Sequence, residues 1–416
     1  MQLIFYCNFS IIKNFSWQEF VNDNIGLSGT DWLFFKLLQH VSNKHAVILF
    51  HDGNAILENV PFEHKKLDSL SALSSNLKEE QECCLTLISR SNSEFKKFLQ
   101  LKLPPNLSII VWDHNGPYPD IVDLLNNCKN VKRIVCVSQM HATQHRHRTL
   151  YKKITFIHNF VDIPAIAKRV DSASLKDNFK VCYMGSLTES KGFHHLVKAW
   201  PSIKKILPCA QLDVYGSAKL YDKDSELGDL KVASKKYEDE HLKPLLGESL
   251  AEISKNGVYF KGLVTKKGIY ANLHQYKLGV VNPNLFGSTE TFCVSAVEIQ
   301  AAGVPTIGAR RVGLMETIKH NETGLTFASH VEMERQIIQL LSNDTLNHTF
   351  SKNAMNRTQN LFAENIAYAN WDKLFDEVKN KKKNTCVPII TPNLRIKEIT
   401  KTIIFYINKF LLKKLF

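Results

Sequence analysis

The chain has 416 residues, of which 44% are hydrophobic and 22% are charged. This composition excludes a disordered or fibrous chain, and the length exceeds one ordinary core, so we expect two globular domains. The net charge of +13 is uneven, because the segment from Lys379 to Phe416 holds ten Lys or Arg residues and one acid, Glu398. That segment therefore carries +9, and the other 378 residues carry only +4.

The nine cysteines form no CxxC pair and show no Cys/His spacing typical of metal ligands. Several stand inside apolar runs, where a thiol acts as a small hydrophobe, so we expect a reduced cytosolic protein without a structural zinc site. The apolar start, Met1 to Cys7, lacks a basic leader and is predicted to be a first strand, not a signal peptide. No run approaches eighteen uninterrupted apolar residues, so no membrane-spanning helix is expected.

In the first half, short apolar runs that read as strands alternate with helical patterns. The predicted strands are Gln2–Cys7, Ala46–Phe50, Cys84–Ile88, Leu107–Trp112, Arg133–Ser138 and Ile154–His158. Helical spacing covers Trp32–Val41 and the region around Asp120–Asn127. Strand runs without polar alternation, separated by helices, predict a parallel sheet covered on both faces.

The second half repeats this pattern after a polar boundary near Asp162–Ser174. The predicted strands are Lys180–Gly185, Gln211–Gly216, Val258–Gly262, Leu278–Asn282 and Pro305–Ala309, with helices at Phe193–Lys205 and Cys293–Ala302. The fold class is therefore α/β, with two Rossmann-like, doubly wound parallel-sheet domains facing each other across a cleft. We assign residues 1–165 to an acceptor-side domain and 166–362 to a donor domain. Residues 363–378 are assigned to a terminal helix that packs back toward the first domain, and 379–416 to a basic linker and tail.

The most informative segment runs from Ser288 to Glu298, after the apolar run Leu278–Val281. It is predicted to be a loop carrying Glu290, followed by a helix whose N-terminal amides and dipole form an anion site. Glu290 and Glu298 are eight positions apart and so lie on roughly one side of such a helix. A carboxylate presented in this way can bind the vicinal hydroxyls of a ribose. From the spacing alone, a solvated helix with two incidental glutamates explains the pattern as well.

This segment resembles the Glu-x7-Glu signature of family-four glycosyltransferases of the group 1 type, known from bacterial surface polysaccharide synthesis. Four further segments match that family in the correct order: Val181–Phe193, Leu212–Gly216, Val258–Gly262, and Gly303-Val-Pro305 on through Glu316 and Gly324. Ile157–Asp162 is similar to the segment that closes the family's first domain. The resemblance covers roughly Asp31 to Trp371 and implies the GT-B architecture.

The resemblance also implies a role for individual residues. Glu298 is expected to bind the ribose of the nucleotide. Glu290, with the backbone amides of Thr291, Phe292 and Cys293, is expected to hold the transferred sugar. Lys191 is expected to neutralise the diphosphate as the bond to the sugar breaks. Gly185 and Ser186, in the strand–loop segment that opens the donor domain, are included in the expected donor site.

One departure from the family pattern concerns Ser186, since the family usually has an arginine there. Lys191 then acts alone, or Arg310 or Arg311 supplies the second positive charge. An exposed structural arginine is the plain alternative for both of these residues. Without compensation, activity is expected to be weak or absent.

In the first domain, Gly26 and Gly29 precede the predicted helix at Trp32 and allow the backbone to approach a phosphate closely. An ordinary strand–helix loop explains this pattern equally often, but its position matches the family's glycine loop. Asp31 stands where the family often has Glu.

His114 ends another strand run, Val111-Trp-Asp-His, and is similar to a family histidine that contacts the donor sugar. A hydrogen-bonded loop histidine is the alternative. The sequence leaves open whether Asp113 faces the acceptor instead. His141, His145 and His147, interleaved with Arg146 and Arg148, are interpreted as a basic helix start and not as a metal site.

No carboxylate pair is identifiable as nucleophile and acid, so the glycosidase type of double displacement is not indicated. The resemblance implies retention of the anomeric configuration by same-face attack, with no metal and no cofactor beyond the nucleotide diphosphate sugar as substrate. Closure of two domains is expected to exclude water.

The tail, Leu394–Phe416, alternates basic and large apolar residues. Ile396, Ile399 and Ile403 align on one helical face and Lys397 and Lys401 lie opposite, as in helices that bind anionic membrane surfaces. We therefore expect a cytoplasmic protein, peripheral on the inner face of the plasma membrane. A helix docked on the protein or on a partner is the alternative, and nucleic acid is not expected as a partner.

These observations predict a retaining hexosyltransferase that moves a sugar to a saccharide or lipid-linked acceptor in surface polysaccharide or lipopolysaccharide synthesis. Two alternatives remain. One is a catalytically weak, transferase-like binding subunit, which Ser186 keeps open, and the other is a GT-B nucleotide-sugar epimerase.

Overall fold

The computed structural model describes residues 1–12, 14–77, 81–167, 179–220, 225–286, 290–385 and 387–388. In the first half the strands are Gln2–Asn8 (β1), Phe15–Ser16 (β2), Val47–Asp52 (β3), Ala55–Ile56 (β4), Glu63–Lys66 (β5), Cys83–Ile88 (β6), Leu107–Asp113 (β7), Val131–Cys136 (β8) and Ile154–Phe156 (β9). The α-helices are Trp17–Val21 (α1), Gly29–Ser42 (α2), Ser93–Gln100 (α3), Val122–Asn127 (α4), Gln139–Thr143 (α5) and Ile163–Ala167 (α6). Short 3₁₀ helices cover Leu70–Asn76, Pro119–Ile121 and Thr149–Lys153.

The first sheet has seven parallel strands in the order β5-β3-β1-β6-β7-β8-β9, and β2 and β4 form a separate parallel pair. The order reverses direction at β1, which is where an open α/β sheet leaves a crevice at the carboxyl ends of its strands. α2 follows this crevice, and the Ser28 hydroxyl caps it by accepting a hydrogen bond from the Asp31 amide. The buried face of α2 packs aromatic side chains, such as Phe34 against Phe5 of β1.

The second half forms a sheet of six parallel strands in the order β12-β11-β10-β13-β14-β15. These strands are Lys180–Met184 (β10), Gln211–Tyr215 (β11), Val258–Gly262 (β12), Leu278–Val281 (β13), Thr306–Ala309 (β14) and Gly324–Phe327 (β15). The helices are Phe193–Ile206 (α7), Lys235–Tyr237 (α8), Lys243–Leu246 (α9), Leu250–Lys255 (α10), Lys266–Leu273 (α11), Val294–Ala301 (α12), Val312–Thr317 (α13), His330–Ser342 (α14), Asp344–Leu361 (α15) and Glu364–Lys379 (α16). Glu189–Lys191 and Ala218–Leu220 are 3₁₀ turns, and Glu238–Leu242 is a π-helical turn.

The expected class, two doubly wound parallel-sheet domains, is confirmed. Every strand predicted from an apolar run is present, with ends that differ by one or two residues. β5 escaped prediction because its sequence, Glu-His-Lys-Lys, is wholly exposed at a sheet edge and carries no apolar signal. The helices α14 and α15 were also missed, although both carry Asn or Ser N-caps.

The terminal helix α16 lies against the first domain. Its Trp371 ring meets Trp112 of β7 at a centroid distance of 4.8 Å, and Phe375 faces Phe5 at 6.4 Å. On the helix surface, Asp372 accepts hydrogen bonds from His40 of α2 at 3.2 Å and from Lys44 at 2.7 Å. The chain thus crosses back from the donor half, and a continuous hydrophobic core spans both halves.

The residues after α16 stay on the first domain. Asn384 donates to the carbonyl of Ile154 at 2.7 Å, and Tyr151 donates to the carbonyl of Val387 at 2.7 Å. Within the described ranges no helix combines the length and apolarity that crossing a bilayer requires. The predicted membrane-binding tail, Leu394–Phe416, and residues 168–174 of the predicted domain boundary lie outside the described residues.

Candidate functional site

The carboxyl edges of the two sheets meet at Thr291, in the loop before α12. The Ser138 hydroxyl, just after β8, donates to the Thr291 carbonyl at 2.7 Å. The Thr291 hydroxyl donates to the carbonyl of His114, just after β7, at 2.5 Å. Because the carboxyl ends of parallel strands are where α/β folds bind ligands, this junction is the candidate site.

Glu290 is held at this junction by the donor half. Its Oε1 lies 2.5 Å from Nζ of Lys191 and accepts a hydrogen bond from the Asn282 amide at 2.9 Å. Asn282 directly follows β13 and has a positive φ of 35°, a conformation that asparagine tolerates better than most residues. Lys191 and Glu290 keep 21% and 19% of their side-chain surface exposed, so the pair faces accessible space.

Two glycines permit the close approach of the loops that present this pair. Gly192 has φ of 72°, and a Cβ there would lie 2.6 Å from the Asn284 amide nitrogen. Gly313, at the start of α13, donates its N–H to the Glu290 carbonyl at 3.0 Å. A Cβ on Gly313 would lie 2.4 Å from the Thr291 carbonyl, so a larger residue would displace the Glu290 loop.

Glu298 lies in the middle of α12 and is 4% exposed. Its Oε1 accepts a hydrogen bond from the Tyr270 hydroxyl at 2.9 Å and an ion-pair contact from Lys266, both on α11. The Lys266 ammonium also lies 4.8 Å from the ring centre of Trp32 on α2. The carboxylate is therefore fixed by its own domain and linked through Lys266 to the other domain.

The two residues that lead into α12 are buried. Phe292 packs its ring against His158 and Phe362, with centroid distances of 6.0 Å and 5.4 Å. Cys293 is the N-cap of α12, and burial, with the charge of Glu290 as a second cause, raises the pKa of its thiol to about 12. Their side chains thus anchor the loop, and only their backbone amides remain as ligand-binding groups.

Gly185 and Ser186 follow β10. The Ser186 hydroxyl is 1% exposed and donates to the Ser217 carbonyl at 3.3 Å, so it points toward the neighbouring loop. Gly185 donates its N–H to the Tyr215 carbonyl at 3.1 Å. A Cβ added to Gly216 would overlap the carbonyl oxygen of Gly185. Gly185 and Ser186 therefore pack closely against the loop after β11, at the carboxyl edge of the donor sheet.

The structure separates the two arginines that follow β14. The Arg310 guanidinium donates to the Thr326 carbonyl at 2.8 Å and to Glu332 at 3.3 Å, on the outer side of the domain. Arg311 instead donates to the carbonyls of Asn284 and Phe286, at 3.4 Å and 3.0 Å. Since Asn284 contacts the turn that carries Lys191, Arg311 is the arginine of this pair nearer to the lysine.

His114 is 5% exposed, with its ring 4.8 Å from that of Trp112. Burial, reinforced by the charge of Arg90, lowers the pKa of His114 to about 3, so the imidazole is neutral. Its Nε2 makes no hydrogen bond within the described residues. The side chain of Asp113 is fully buried and accepts a hydrogen bond from the Gly116 amide, so it does not face open space as the acceptor alternative requires. Burial raises the pKa of Asp113 to about 7.

Gly29 opens α2, and nothing lies within 4 Å of the position a Cβ would take there. Beside this turn the first domain has a small cleft that is open to solvent. Five polar or charged residues line it together with apolar side chains: Asn8, Asp31, Arg90, Asn92 and Glu94. Arg90 lies 3.8 Å from Asp31, so the cleft offers both signs of charge.

Glu316, on α13, makes three polar contacts between the halves, and nothing in the sequence indicates this role. Its carboxylate accepts hydrogen bonds from the amides of Gln139 and Met140 at 2.9 Å and 2.7 Å, and lies 2.5 Å from His158 Nε2. Burial alone would raise the pKa of Glu316, but the contacts with His158 and the two amides lower it overall. Tyr270, Lys266 and Asn282 were missed in the same way, as partners that only tertiary packing selects.

Comparison with known proteins bears on the family and the fold. Residues 166–357 match the family described as glycosyl transferases group 1. The capsular polysaccharide biosynthesis glycosyltransferase CapM of Staphylococcus aureus is 23% identical over 204 residues, which are 49% of this chain and 47% of CapM. The chain thus spans about half the length of this curated relative.

Two solved structures share the fold. Anabaena Alr3699/HepE in complex with UDP-glucose superposes with a TM-score of 0.64 at 16% identity, over 91% of this chain and 100% of that chain. Sucrose-phosphate synthase from Thermosynechococcus elongatus gives a TM-score of 0.63 at 15% identity, over 92% and 100%. Both superpositions extend across the two sheets, so the similarity is one of the whole architecture.

Proposed function

We propose that this chain is a group 1 glycosyl transferase and, more narrowly, a retaining hexosyltransferase that uses UDP-hexose, because residues 166–357 match that family and the chain has the GT-B fold. The observation that carries the proposal is the convergence of Lys191 and Glu290 at the domain junction, with Nζ and Oε1 2.5 Å apart. The Anabaena protein was solved in complex with UDP-glucose, and this supports uracil as the base.

In this proposal the donor lies along the carboxyl edge of the second sheet. Glu298 binds the ribose hydroxyls, and its hydrogen bond from Tyr270 fixes the carboxylate before the nucleotide arrives. Glu290 binds hydroxyls of the hexose, oriented by Asn282. The amides at the start of α12 face the sugar and diphosphate, because the first N–H groups of a helix have no partner inside it.

The leaving group is stabilised by positive charge. When the bond between the anomeric carbon and the diphosphate breaks, negative charge develops on the phosphate oxygens. Lys191 then exchanges its contact with Glu290 for the diphosphate, and Arg311 reaches the same region from the end of β14. Ser186 is smaller than the arginine that the family usually has at that position, and it carries no charge. Lys191 and Arg311 therefore supply the positive charge in place of that arginine.

The acceptor hydroxyl attacks from the face that the diphosphate leaves, and a departing phosphate oxygen takes its proton. This gives retention of configuration without a metal at the diphosphate, because fixed protein charges supply the electrostatic stabilisation. Neutral His114 lies on the acceptor side, and its carbonyl is tied to Thr291. Domain closure around Thr291 excludes water from the reacting atoms.

The acceptor is a saccharide or a lipid-linked saccharide in surface polysaccharide synthesis, as the name of CapM supports. The cleft beside Arg90 and Asp31 has polar and charged side chains of the kind that bind sugar hydroxyls. The chain leaves the described region at Pro388 from the same domain, since Gln139 donates to the Pro388 carbonyl at 3.2 Å. The basic tail would therefore bring the acceptor domain to an anionic membrane surface.

The test combines binding and turnover. Thermal unfolding is measured with UDP-, GDP-, ADP- and CMP-sugars on the wild type, Glu290→Gln, Glu298→Gln and the exposed control Glu322→Gln. A UDP-hexose should raise the midpoint for the wild type and the control, and the shift should be lost in Glu298→Gln. Transfer should fall at least about 100-fold in Glu290→Gln, and the anomeric configuration of the product is read by NMR.

Other outcomes identify the alternatives. Equal transfer rates in the wild type and Glu290→Gln would remove the proposed site. A UDP-hexose that binds but is never transferred or hydrolysed would make the protein a binding subunit, and an epimerised nucleotide sugar would make it an epimerase. An inverted product would refute retention while leaving the transferase intact.

A further inference from the structure

The carboxyl ends of β7 and β8 place two metal-binding side chains next to each other. Asp113 is the last residue of β7, Cys136 is the last of β8, and the two are register partners in the parallel pair. Register partners on neighbouring strands project to the same face of a sheet. A thiol and a carboxyl group are thereby brought together by the backbone alone.

The helix that follows β8 adds two imidazoles. His141 lies in α5, and the chain continues the helical turn so that the N–H of His145 donates to the Ala142 carbonyl at 3.1 Å. Residues four apart lie on one face of a helical turn, and the two rings are 5.4 Å apart. Of the three histidines interpreted as a basic helix start, only His147 is exposed, in the turn after α5, whereas His141 and His145 are turned inward.

This cluster is buried and incompletely hydrogen-bonded. The four residues are between 0% and 4% exposed. Oδ2 of Asp113 and both ring nitrogens of His145 make no hydrogen bond of standard geometry within the described part of the chain, and their nearest polar neighbours are the Ser89 hydroxyl and the Gly116 backbone. Buried polar atoms nearly always have a bonding partner. The atoms of Asp113 and His145 that make no hydrogen bond therefore indicate that a ligand binds between them.

The donor atoms match one kind of ion. One atom from each residue lies within 4.8 Å of the others, and His141 Nε2 is 3.5 Å from Asp113 Oδ2. Ligands around tetrahedral zinc lie about 3.3–3.6 Å apart, so no pair has to close by more than about 1.5 Å. A thiolate, a carboxylate and two neutral imidazoles balance the charge of Zn²⁺, which a buried site requires. We propose that four residues bind one structural zinc ion: Asp113, Cys136, His141 and His145.

A metal-free hydrogen-bonded cluster is the competing arrangement. His141 Nε2 lies 2.5 Å from the Gly116 carbonyl oxygen, and the Val137 amide donates to His141 Nδ1 at 3.4 Å. In that arrangement Nε2 carries the proton. A zinc-bound Nε2 carries none, so the ion displaces the Gly116 carbonyl or takes it as a fifth ligand. The two arrangements therefore differ in metal content.

The ion would be structural, since all four of its ligands come from the protein and no position stays open for substrate. The ligands Asp113 and Cys136 lie close in sequence to the two groups that hydrogen-bond with Thr291. These groups are the carbonyl of His114 and the hydroxyl of Ser138. Zinc would hold these groups in place at the domain junction. This inference does not depend on the proposed transfer reaction, in which the metal takes no part.

The test is the metal content of the full chain, purified without metal-affinity resin or chelator and measured by atomic emission. The wild type should hold about one zinc per chain. Cys136→Ser and His145→Asn should hold at least about tenfold less. Cys84→Ser is the matched control, a fully buried cysteine on the neighbouring strand β6, and it should keep its zinc.

Cobalt provides a second measurement on the folded wild type. Exchange of zinc for Co²⁺ should produce a thiolate-to-cobalt charge-transfer band that Cys84→Ser retains. The proposal would be overturned if the zinc content of the wild type were no higher than that of Cys136→Ser. A cobalt spectrum without thiolate character would overturn it as well. If both ligand variants fail to fold, the wild-type zinc content and cobalt spectrum decide by themselves.

Discussion

Lys191 and Glu290 are 99 positions apart in sequence, yet Nζ of the lysine lies 2.5 Å from Oε1 of the glutamate. The lysine comes from the turn after β10 and the glutamate from the loop after β13, and these two strands are neighbours in the donor sheet. The pair is partly exposed, so its electrostatic contribution to stability is small. What it does is hold both charged groups at the place where a nucleotide sugar would bind.

Lys191→Ala should therefore separate activity from stability. Transfer from UDP-hexose should fall at least about 100-fold, because the variant lacks the positive charge that the proposed mechanism places at the leaving diphosphate. The free energy of unfolding should change by less than about 1 kcal/mol, because the pair is screened by solvent. Initial rates and urea unfolding curves measure the two quantities.

The matched control for this variant is Lys255→Ala. Lys255 is exposed at the end of α10, just before the amino end of β12 and so at the opposite edge of the sheet. Its rate should stay within about twofold of the wild type. A similar loss in both lysine variants would show that general charge, and not the position of Lys191, sets the rate.

The convergence of Lys191 and Glu290 was predictable because parallel strands bring their carboxyl ends to one edge, whatever their separation in sequence. The partners of Glu298 were not, since α11 approaches α12 only through tertiary packing. Asp113 and Cys136 show a third case. Each strand was predicted, but the register that sets the two residues opposite each other cannot be read from either strand alone.

The two arginines after β14 should respond differently to truncation. Arg311→Ala should lower turnover at least about tenfold, because its guanidinium lies beside the loop that packs on the Lys191 turn. Arg310→Ala should cost about 1 kcal/mol of stability through its lost contacts with Thr326 and Glu332, with turnover unchanged. Steady-state kinetics and thermal unfolding of both variants test this. If only Arg310→Ala lost turnover, Arg310 and not Arg311 would be the arginine that supports the reaction.

Glu316→Ala should destabilise the contact between the halves. The substitution leaves His158 and the amides of Gln139 and Met140 without their acceptor, and removing one partner of a buried charged group costs about 3 kcal/mol. Calorimetry should show a lower midpoint and, if the halves uncouple, two transitions where the wild type has one. The exposed Glu58→Ala serves as control, and equal midpoints for the two variants would refute this role for Glu316.

Four stacked imidazoles predict a stability that depends on pH. His194 lies 3.9 Å from His195 and 4.6 Å from His241, and His195 lies 4.0 Å from His330, as ring centroid distances. Burial, with the neighbouring rings as the next cause, lowers the pKa of His194 to about 4 and that of His195 to about 3. Lys198 also lowers both values, and Glu189 opposes this at His194.

Since these pKa values are lower in the folded than in the unfolded chain, the unfolded chain takes up protons first as the pH falls. The stabilising effect of the neutral rings is complete above pH 6.5 and is lost as the pH falls toward 4. Each ring contributes a slope of at most about 1.4 kcal/mol per pH unit, and less because both keep some access to water. His195→Gln should flatten the decline in the unfolding midpoint over this range, whereas His348→Gln, exposed on α15, should not. A wild-type midpoint that stays level across the range would contradict the effect of the stack.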